Sequence, residues 1–271
     1  MKRIASSSEP STLMTYRQAV PGGTWEAMRN DPYFGGMAAY ENVRAQVLLD
    51  QGGICAYCEV DISAHDPLKQ CRVEHFHPKS DISAAHNWAL DWQNLLAVCA
   101  GGSYRYAEAP HALAPIEENL SCDAHKDRMI QRGKLQLVCD GWILHPAALP
   151  ASPSLFLIEK WNGNLAPDAA NCAASLPITG NRHADVLSLV QHTIDMLNLN
   201  CERLCQARLR IVRDIEHNKK KQRLAGFSPT DGMANLAQHY LRQKWPAFFT
   251  TIRLCLGTAA DSYLAGVGYQ G

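Results

Sequence analysis

Four cysteines set the tightest limit on how this chain can fold. Cys55 and Cys58 are separated by two residues, and Cys99 and Cys122 follow in the same stretch. A Cys-x2-Cys turn places two thiolates where a tetrahedral zinc ion accepts them, and a structural zinc needs four protein ligands. We therefore predict that these four cysteines bind a structural Zn²⁺.

The spacing of the second pair leaves an alternative open. Between Cys99 and Cys122 lie 22 residues, which is tolerable because loop-closure entropy grows by only about 0.6 kcal/mol per doubling of length. In the alternative set His125 replaces Cys99. The four-cysteine set is favoured because Cys99 ends a predicted strand, whereas His125 would share a helical turn with Cys122. The other six cysteines are interpreted as small buried hydrophobic residues: Cys71, Cys139, Cys172, Cys201, Cys205 and Cys255.

Composition and charge limit the compartment and the binding partners that we expect. The chain has 271 residues, ten of them cysteine, and its 26 basic and 26 acidic side chains cancel. It lacks a run of about 18 apolar residues and the apolar core of a secretory signal. We expect a cytoplasmic protein with reduced cysteines that does not bind membranes, and any affinity for nucleic acid must come from local patches.

The cysteines bracket residues suited to hydrolysing a phosphodiester. That reaction needs a base to deprotonate water and a cation to neutralise charge on the phosphate. Glu74 and His75 are adjacent, so on a strand their side chains point to opposite sides. We predict that Glu74 holds a divalent ion, Mg²⁺ or Mn²⁺, and that His75 is the general base. Asn94 would accept the other ring N–H of His75 and fix its tautomer.

A second ligand for this ion is expected from the helix that begins at Cys122. Asp123 is our choice; the alternative is that it only complements the positive end of the helix. Asp127 lies one turn later on the same face and is a weaker candidate. Lys79 and Lys126 are candidates for phosphate contact, although exposed lysines are commonly only solvated.

Element order supports a ββα-metal finger. Apolar runs predict strands over residues 71–76 and 88–99, and a helix over 122–132 ends before Gly133. The predicted fold class is α+β, with a zinc-stapled ββα-metal nuclease core. We divide the chain into an N-terminal arm (1–33), the nuclease module including a helix before the first cysteines (34–135) and a mainly helical C-terminal region (136–271).

In the C-terminal region, Asn162-Gly163 predicts a hairpin turn. Helical spacing begins near His183, and Asn198 and Asn200 leave open one helix or two, with Asn200 as a cap. A last helix is expected over 233–256, bent at Pro246. Residues 203–223 carry eight basic side chains, which indicate either a nucleic-acid contact or a solvated helix face.

Several motifs together resemble the HNH endonuclease superfamily, and specifically the PtuB-type proteins of bacterial Septu and retron-linked anti-phage systems. The resemblance spans roughly the first 210 residues and is most specific between Cys55 and Lys126. It lies in Met1-Lys-Arg-Ile4, Glu9-Pro10, Tyr16-Arg17, Gly53-Ile-Cys-Ala-Tyr-Cys-Glu59, Glu74-His-Phe-x-Pro-Lys-Ser80, Trp92-x-Asn94-Leu95, Cys99, Cys122-Asp123-x2-Lys126, Leu197-Asn-Leu-Asn200, Leu204 and Arg208.

The resemblance implies a general base at His75, the motif asparagine at Asn94 and a PtuA-type ATPase as partner. Asp123 stands where such families carry His or Asn. The expected function is metal-dependent hydrolysis of DNA within a defence complex. The alternatives are an RNA- or tRNA-directed nuclease, since such a site touches phosphate and sugar rather than bases, and a zinc-stabilised interaction module without catalysis. The module would have no use for Glu74, His75 and Asn94.

Overall fold

The computed structural model describes residues 1–63, 71–103, 117–242 and 245–271. The helices are α1 (Ser11–Ala19), α2 (Trp25–Asn30), α3 (Gly36–Asp50), α4 (Cys122–Gln131), α5 (Ala169–Ala174), α6 (Val186–Met196), α7 (Glu202–Leu224), α8 (Pro229–Leu241), α9 (Phe249–Leu256) and α10 (Thr258–Gly266). The strands are β1 (Cys71–His75), β2 (Leu95–Cys99), β3 (Phe156–Ile158) and β4 (Leu165–Pro167). Together they form an α+β fold.

The N-terminal residues form two helices, although they show no sustained apolar period. The Thr24 hydroxyl accepts a hydrogen bond from the Ala27 amide at 3.0 Å and so caps α2. Both helices pack on α3, and they bury Leu13, Tyr16 and Met28 in the main core. The short helices have too few turns for a periodic signal, so their packing was not visible in the sequence.

The predicted order of two strands and a helix is present. β1 and β2 pair antiparallel, with Cys71 opposite Cys99 and His75 opposite Leu95. The second strand is shorter than predicted because residues 88–94 form two 3-10 turns, capped by the Asn87 and Asp91 side chains. Gln51, at the end of α3, exchanges hydrogen bonds of 2.7 and 2.8 Å with the Ala97 backbone and so joins α3 to β2.

The C-terminal region differs from expectation at two breaks. The β3–β4 hairpin predicted at Asn162-Gly163 is confirmed, and the helical stretch divides into α6 and α7. Cys201, not Asn200, is the cap residue of α7, because the Asn200 side chain instead bonds the Leu165 amide and carbonyl at 2.8 and 2.9 Å. The single bent helix predicted over 233–256 is wrong: α8 ends at Leu241 and α9 begins at Phe249.

Two hydrophobic clusters carry the fold. The larger joins the N-terminal helices, the ββα unit and α6. The smaller lies among α7, α8, α9 and α10, around Ile215, Leu236 and Ile252. Among the described residues there is no helix both long enough and apolar enough to cross a membrane. Because the larger cluster contains residues from before and after the ββα unit, segments from both ends of the chain pack on that unit.

Candidate active site and cysteine cluster

The ββα unit brings four cysteine sulfurs together. The Sγ atoms of Cys55 and Cys122 are 3.8 Å apart, those of Cys58 and Cys99 are 3.7 Å apart, and all four lie within 4.8 Å of one another. Four thiolates about 2.3 Å from a tetrahedral zinc would stand about 3.8 Å from each other. All four side chains are buried. The cluster thus has the donor atoms, spacing and seclusion that a structural zinc requires.

The backbone around the cluster is shaped to present these sulfurs. The Gly101 amide donates to the Cys99 Sγ at 3.3 Å. Gly101 has φ 63°, and a Cβ there would lie 2.3 Å from the Ser121 carbonyl oxygen, so only glycine fits. The alternative ligand His125 points elsewhere, because its Nδ1 lies 2.9 Å from the Met196 carbonyl oxygen. The structure therefore assembles Cys99, not His125, with the other three cysteines.

His75 ends β1 and is held by the backbone of another segment. Its Nε2 lies 3.1 Å from the Ala89 carbonyl oxygen, which can only accept, so Nε2 carries the proton and Nδ1 keeps its lone pair. Trp25 packs edge-on against the ring, with centroids 4.8 Å apart. Burial lowers the pKa of His75 to about 4. The imidazole is therefore neutral at neutral pH, in the form that a base needs.

Asn94 does not orient His75 as expected. Its Oδ1 accepts from the His77 amide at 2.6 Å, and its Nδ2 donates to the His77 and Trp88 carbonyls, both at 2.9 Å. The hydrogen bond that we assigned to Asn94 is made by Ala89. Asn94 instead fixes the loop between the strands, so its effect on His75 is exerted through the backbone.

Glu74 lies on the opposite side of the strand from His75, as predicted. Its carboxylate is buried and forms an ion pair with Lys126. Burial raises the pKa of Glu74 and the Lys126 ammonium opposes that shift. Burial likewise disfavours the ammonium, but Glu74, Cys139 and Asp123 together outweigh burial and raise the pKa of Lys126. Lys126, a candidate for phosphate contact in the sequence, is thus buried and paired with Glu74.

A second carboxylate stands beside Glu74. Asp123 lies within hydrogen-bonding reach of Glu74, in the first turn of α4. Burial is the largest cause that raises the pKa of Tyr57. The negative charges of Glu74, Cys139 and Asp123 raise it further, in decreasing order. The Tyr57 hydroxyl is buried without a hydrogen-bond partner among the described residues. Two carboxylates beside an unsatisfied hydroxyl fit a hydrated cation, which binds carboxylate oxygens and keeps several waters. Asp127 is exposed.

Comparison with known proteins gives the family. No family model matches the chain. It is 33% identical over 259 residues to an Escherichia coli protein named "Retron Ec83 putative HNH endonuclease", and the alignment covers 93% of this chain and 92% of that protein. The chain belongs to the HNH endonuclease family.

The HNH site also receives side chains from α2. Glu26 forms an ion pair with Lys79, one of the predicted phosphate contacts, next to Trp25 on His75. Nothing in the sequence linked residues 25 and 26 to a motif 50 positions away, because their approach depends on how α2 packs. One side of the candidate site around His75 and Lys79 is therefore formed by residues of the N-terminal helix α2.

His77, two residues after His75 in the candidate site, has contacts that the sequence did not reveal. Its Nδ1 lies 2.8 Å from an Asp140 oxygen and its Nε2 2.9 Å from an Asp81 oxygen, and its ring stacks on Trp88 at 4.0 Å. Two carboxylates and the Trp88 ring therefore hold the His77 imidazole in place. The signal was present, since His77 follows His75 by two positions, but only the fold shows its partners.

Proposed function

We propose that this HNH protein is a metal-dependent endonuclease that hydrolyses phosphodiester bonds of DNA. The observation that supports this most directly is the state of His75: neutral, with Nε2 turned to the Ala89 carbonyl and Nδ1 available. In this proposal Nδ1 accepts the proton of the water that attacks phosphorus. The negative phosphate beside the ring raises its pKa from the resting value, which strengthens the base during the reaction.

The carboxylates on the other side of β1 have a separate task. Glu74 and Asp123 would hold Mg²⁺ or Mn²⁺, with Tyr57 beside the site. When bound, such an ion supplies charge neutralisation at the phosphate and the leaving oxygen. The two positive charges of the ion would balance the two carboxylates, so the Lys126 ammonium would then be available to contact a phosphate. Lys79 would leave Glu26 to make a second phosphate contact.

Cys55, Cys58, Cys99 and Cys122 would hold a structural Zn²⁺. Their sulfurs satisfy all four positions of a tetrahedral ion, so this site has no open position for substrate. Its contribution is to join the turn before β1, the end of β2 and the start of α4. That junction positions Asp123 relative to Glu74, because Asp123 directly follows the cysteine that begins the helix.

We also propose that the protein acts in a bacterial anti-phage defence complex with a PtuA-type ATPase. The support is the PtuB-type sequence resemblance and the retron named for the relative. Most apolar residues of the helical region are used internally, including Val190, Ile194 and Ile215. Trp161 and Leu176 remain 81% and 86% exposed and offer apolar surface to a partner. Stable co-purification with the ATPase tests this; an active monomer that cuts plasmid efficiently alone contradicts it.

The nuclease proposal is tested with the purified protein, with and without its co-purifying partners, on plasmid DNA and tRNA, each with Mg²⁺, with Mn²⁺ and without a divalent ion. We expect metal-dependent cutting of plasmid in the presence of the partner, and a loss of about 10²–10⁴-fold in His75→Ala, because a general base contributes that much. The variant should keep its zinc and its melting temperature. Cutting of tRNA alone would redirect the proposal to RNA, and an equally active His75→Ala protein would remove the base assignment.

A further inference from the structure

The longest helix, α7, carries eight basic side chains, most of which are exposed. It contains 23 residues, which span about 34 Å at 1.5 Å per residue. Its inner face enters both hydrophobic clusters through residues such as Leu204, Val212 and Ile215. The sequence left open whether the basic residues of this segment contact nucleic acid or only water.

Three of the basic side chains bond to groups elsewhere in the fold. Arg203 donates to the Ser121 hydroxyl at 2.6 Å. Arg208 is buried and donates to the Gly163 carbonyl at 2.8 Å and to the Leu199 carbonyl. Lys219 bonds Glu216 and the Cys255 carbonyl, both at 2.9 Å. These three therefore belong to the folded core and its edges.

Four others and a histidine form one exposed face. Their spacing of three and four residues places them within about 100° of the helix circumference. We call this set the basic face, and it consists of Arg210, Arg213, His217, Lys220 and Lys221, all exposed. Two acidic residues border it: the Asp214 carboxylate accepts from the Tyr240 hydroxyl, and the Glu216 carboxylate accepts from Lys219.

The arrangement of the charges identifies the ligand. The basic face extends about 16 Å along the helix, with two arginines near one end and two lysines at the other. A nucleic-acid strand offers a phosphate charge every 3.4 Å of duplex axis, a regular polyanion that such a row can follow. The whole chain has zero net charge, so this row is a local concentration of positive potential.

The basic face is also rigidly joined to the ββα unit. Arg203, at the first turn of α7, bonds Ser121, which immediately precedes Cys122 of the cysteine cluster. Nucleic acid held along α7 would therefore be held in a defined position relative to the cleavage site. We propose that the basic face binds the sugar-phosphate backbone of the nucleic-acid substrate away from the scissile bond, an inference that rests on the proposed nuclease function.

Salt dependence of binding tests this directly. The variant Arg213→Gln/Lys220→Gln/Lys221→Gln is compared with Lys134→Gln/Arg182→Gln/Arg242→Gln, which removes three exposed positive charges elsewhere. Both are made in the His75→Ala background so that the probe is not cut. Binding of a labelled duplex of about 30 base pairs, and of one of its strands, is measured from about 50 to 200 mM salt.

We expect the basic-face variant to lower the slope of log K against log salt by about 2.7 for duplex and about 2 for single strand, since each phosphate contact contributes about 0.9 or 0.7. The control variant should change neither slope. Equal slopes in the two variants, or a parent protein that binds neither probe at low salt, overturn the proposal. If the basic-face variant keeps the parent's slopes but no longer binds an acidic protein partner, the proposal is also overturned and the face is assigned to protein contact.

The nuclease proposal is read separately, from cleavage by the protein with His75 intact. A parent that cuts plasmid while the two variants show equal slopes refutes only the role of the basic face. A parent that binds with the expected slopes but cuts nothing with either metal, alone or with its co-purifying partners, supports the basic face and removes the nuclease proposal.

Discussion

The cysteine cluster and the His75 site share one ββα unit but are held together differently. In the cluster every functional atom is a side-chain sulfur, buried and close to three identical partners. At the His75 site the decisive contacts join a side chain to a backbone carbonyl, Ala89, or to a distant helix, through Trp25. The comparison teaches that a structural metal centre can be predicted from residue type and spacing. The protonation state and orientation of a general base depend instead on the residues packed around it.

Breaking the cluster should have the largest effect. In Cys58→Ser we expect zinc to be lost and the protein to become unfolded or insoluble, since structural zinc contributes roughly 10–16 kcal/mol of apparent free energy in finger peptides. Cys255→Ser, at a buried cysteine outside the cluster, should keep about one zinc per chain. Elemental analysis and circular dichroism measure both. Well-folded parent protein without zinc would contradict the assignment.

Asn94→Ala should have the next largest effect. It tests whether the cysteine cluster and the His75 site are stabilised independently. It removes three hydrogen bonds from buried backbone groups at His77 and Trp88, at about 1–3 kcal/mol for each group left unsatisfied. We expect a loss of about 3–5 kcal/mol in urea unfolding with zinc retained, and a smaller loss of activity than in His75→Ala. Asn42→Ala, which removes one exposed bond to Thr12, is the control. Loss of zinc in Asn94→Ala would show that the regions are not independent.

His145 provides a pH-dependent test. Burial lowers the pKa of His145 to about 4, its ring packs on Phe76, and its Nδ1 accepts from the Ala147 amide at 3.1 Å. The folded state binds this proton less readily than the unfolded state, whose pKa is about 6.5. Stability is therefore full above pH 6.5 and falls as pH drops towards 4, by on the order of 2–3 kcal/mol.

In His145→Asn the side chain can still cap the turn but cannot titrate. We expect the difference in unfolding free energy between parent and variant to shrink by that amount from pH 7 to pH 4.5. Taking the difference cancels the acid sensitivity of His75 and of the zinc thiolates. A pH-independent difference would show that His145 ionises equally in both states.

Tyr57→Phe should have the smallest effect on stability. The hydroxyl has no hydrogen-bond partner among the described residues, so its removal should change the unfolding free energy by no more than about 1 kcal/mol. Tyr240→Phe, which loses bonds to Asp214 and Asn218, should cost more. If Tyr57 bonds water on the ion held by Glu74 and Asp123, the variant should bind Mn²⁺ several-fold more weakly by calorimetry. Unchanged Mn²⁺ affinity would remove Tyr57 from that site.

The same contrast explains what the sequence could predict. The two strands, the helix after them and the meeting of four cysteines follow from local pattern and spacing. The Ala89 carbonyl could not be predicted, because every residue has a carbonyl and only the 3-10 turns after Asn87 aim this one at His75. Trp25 and Glu26 could not be assigned either, since their position depends on the packing of α2. Asn94 was chosen from the motif, but its partner was wrong.

Glu59, the residue after Cys58, links the cysteine turn to the far end of the chain. Its carbonyl accepts from the Phe248 amide and its carboxylate from the Thr250 amide, both at 2.8 Å. The turn cannot open without breaking the start of α9, and α9 cannot leave without exposing a buried carboxylate. The two segments, 190 positions apart, should consequently open in a single cooperative event, so that their amide protons exchange with solvent at a common rate under native conditions.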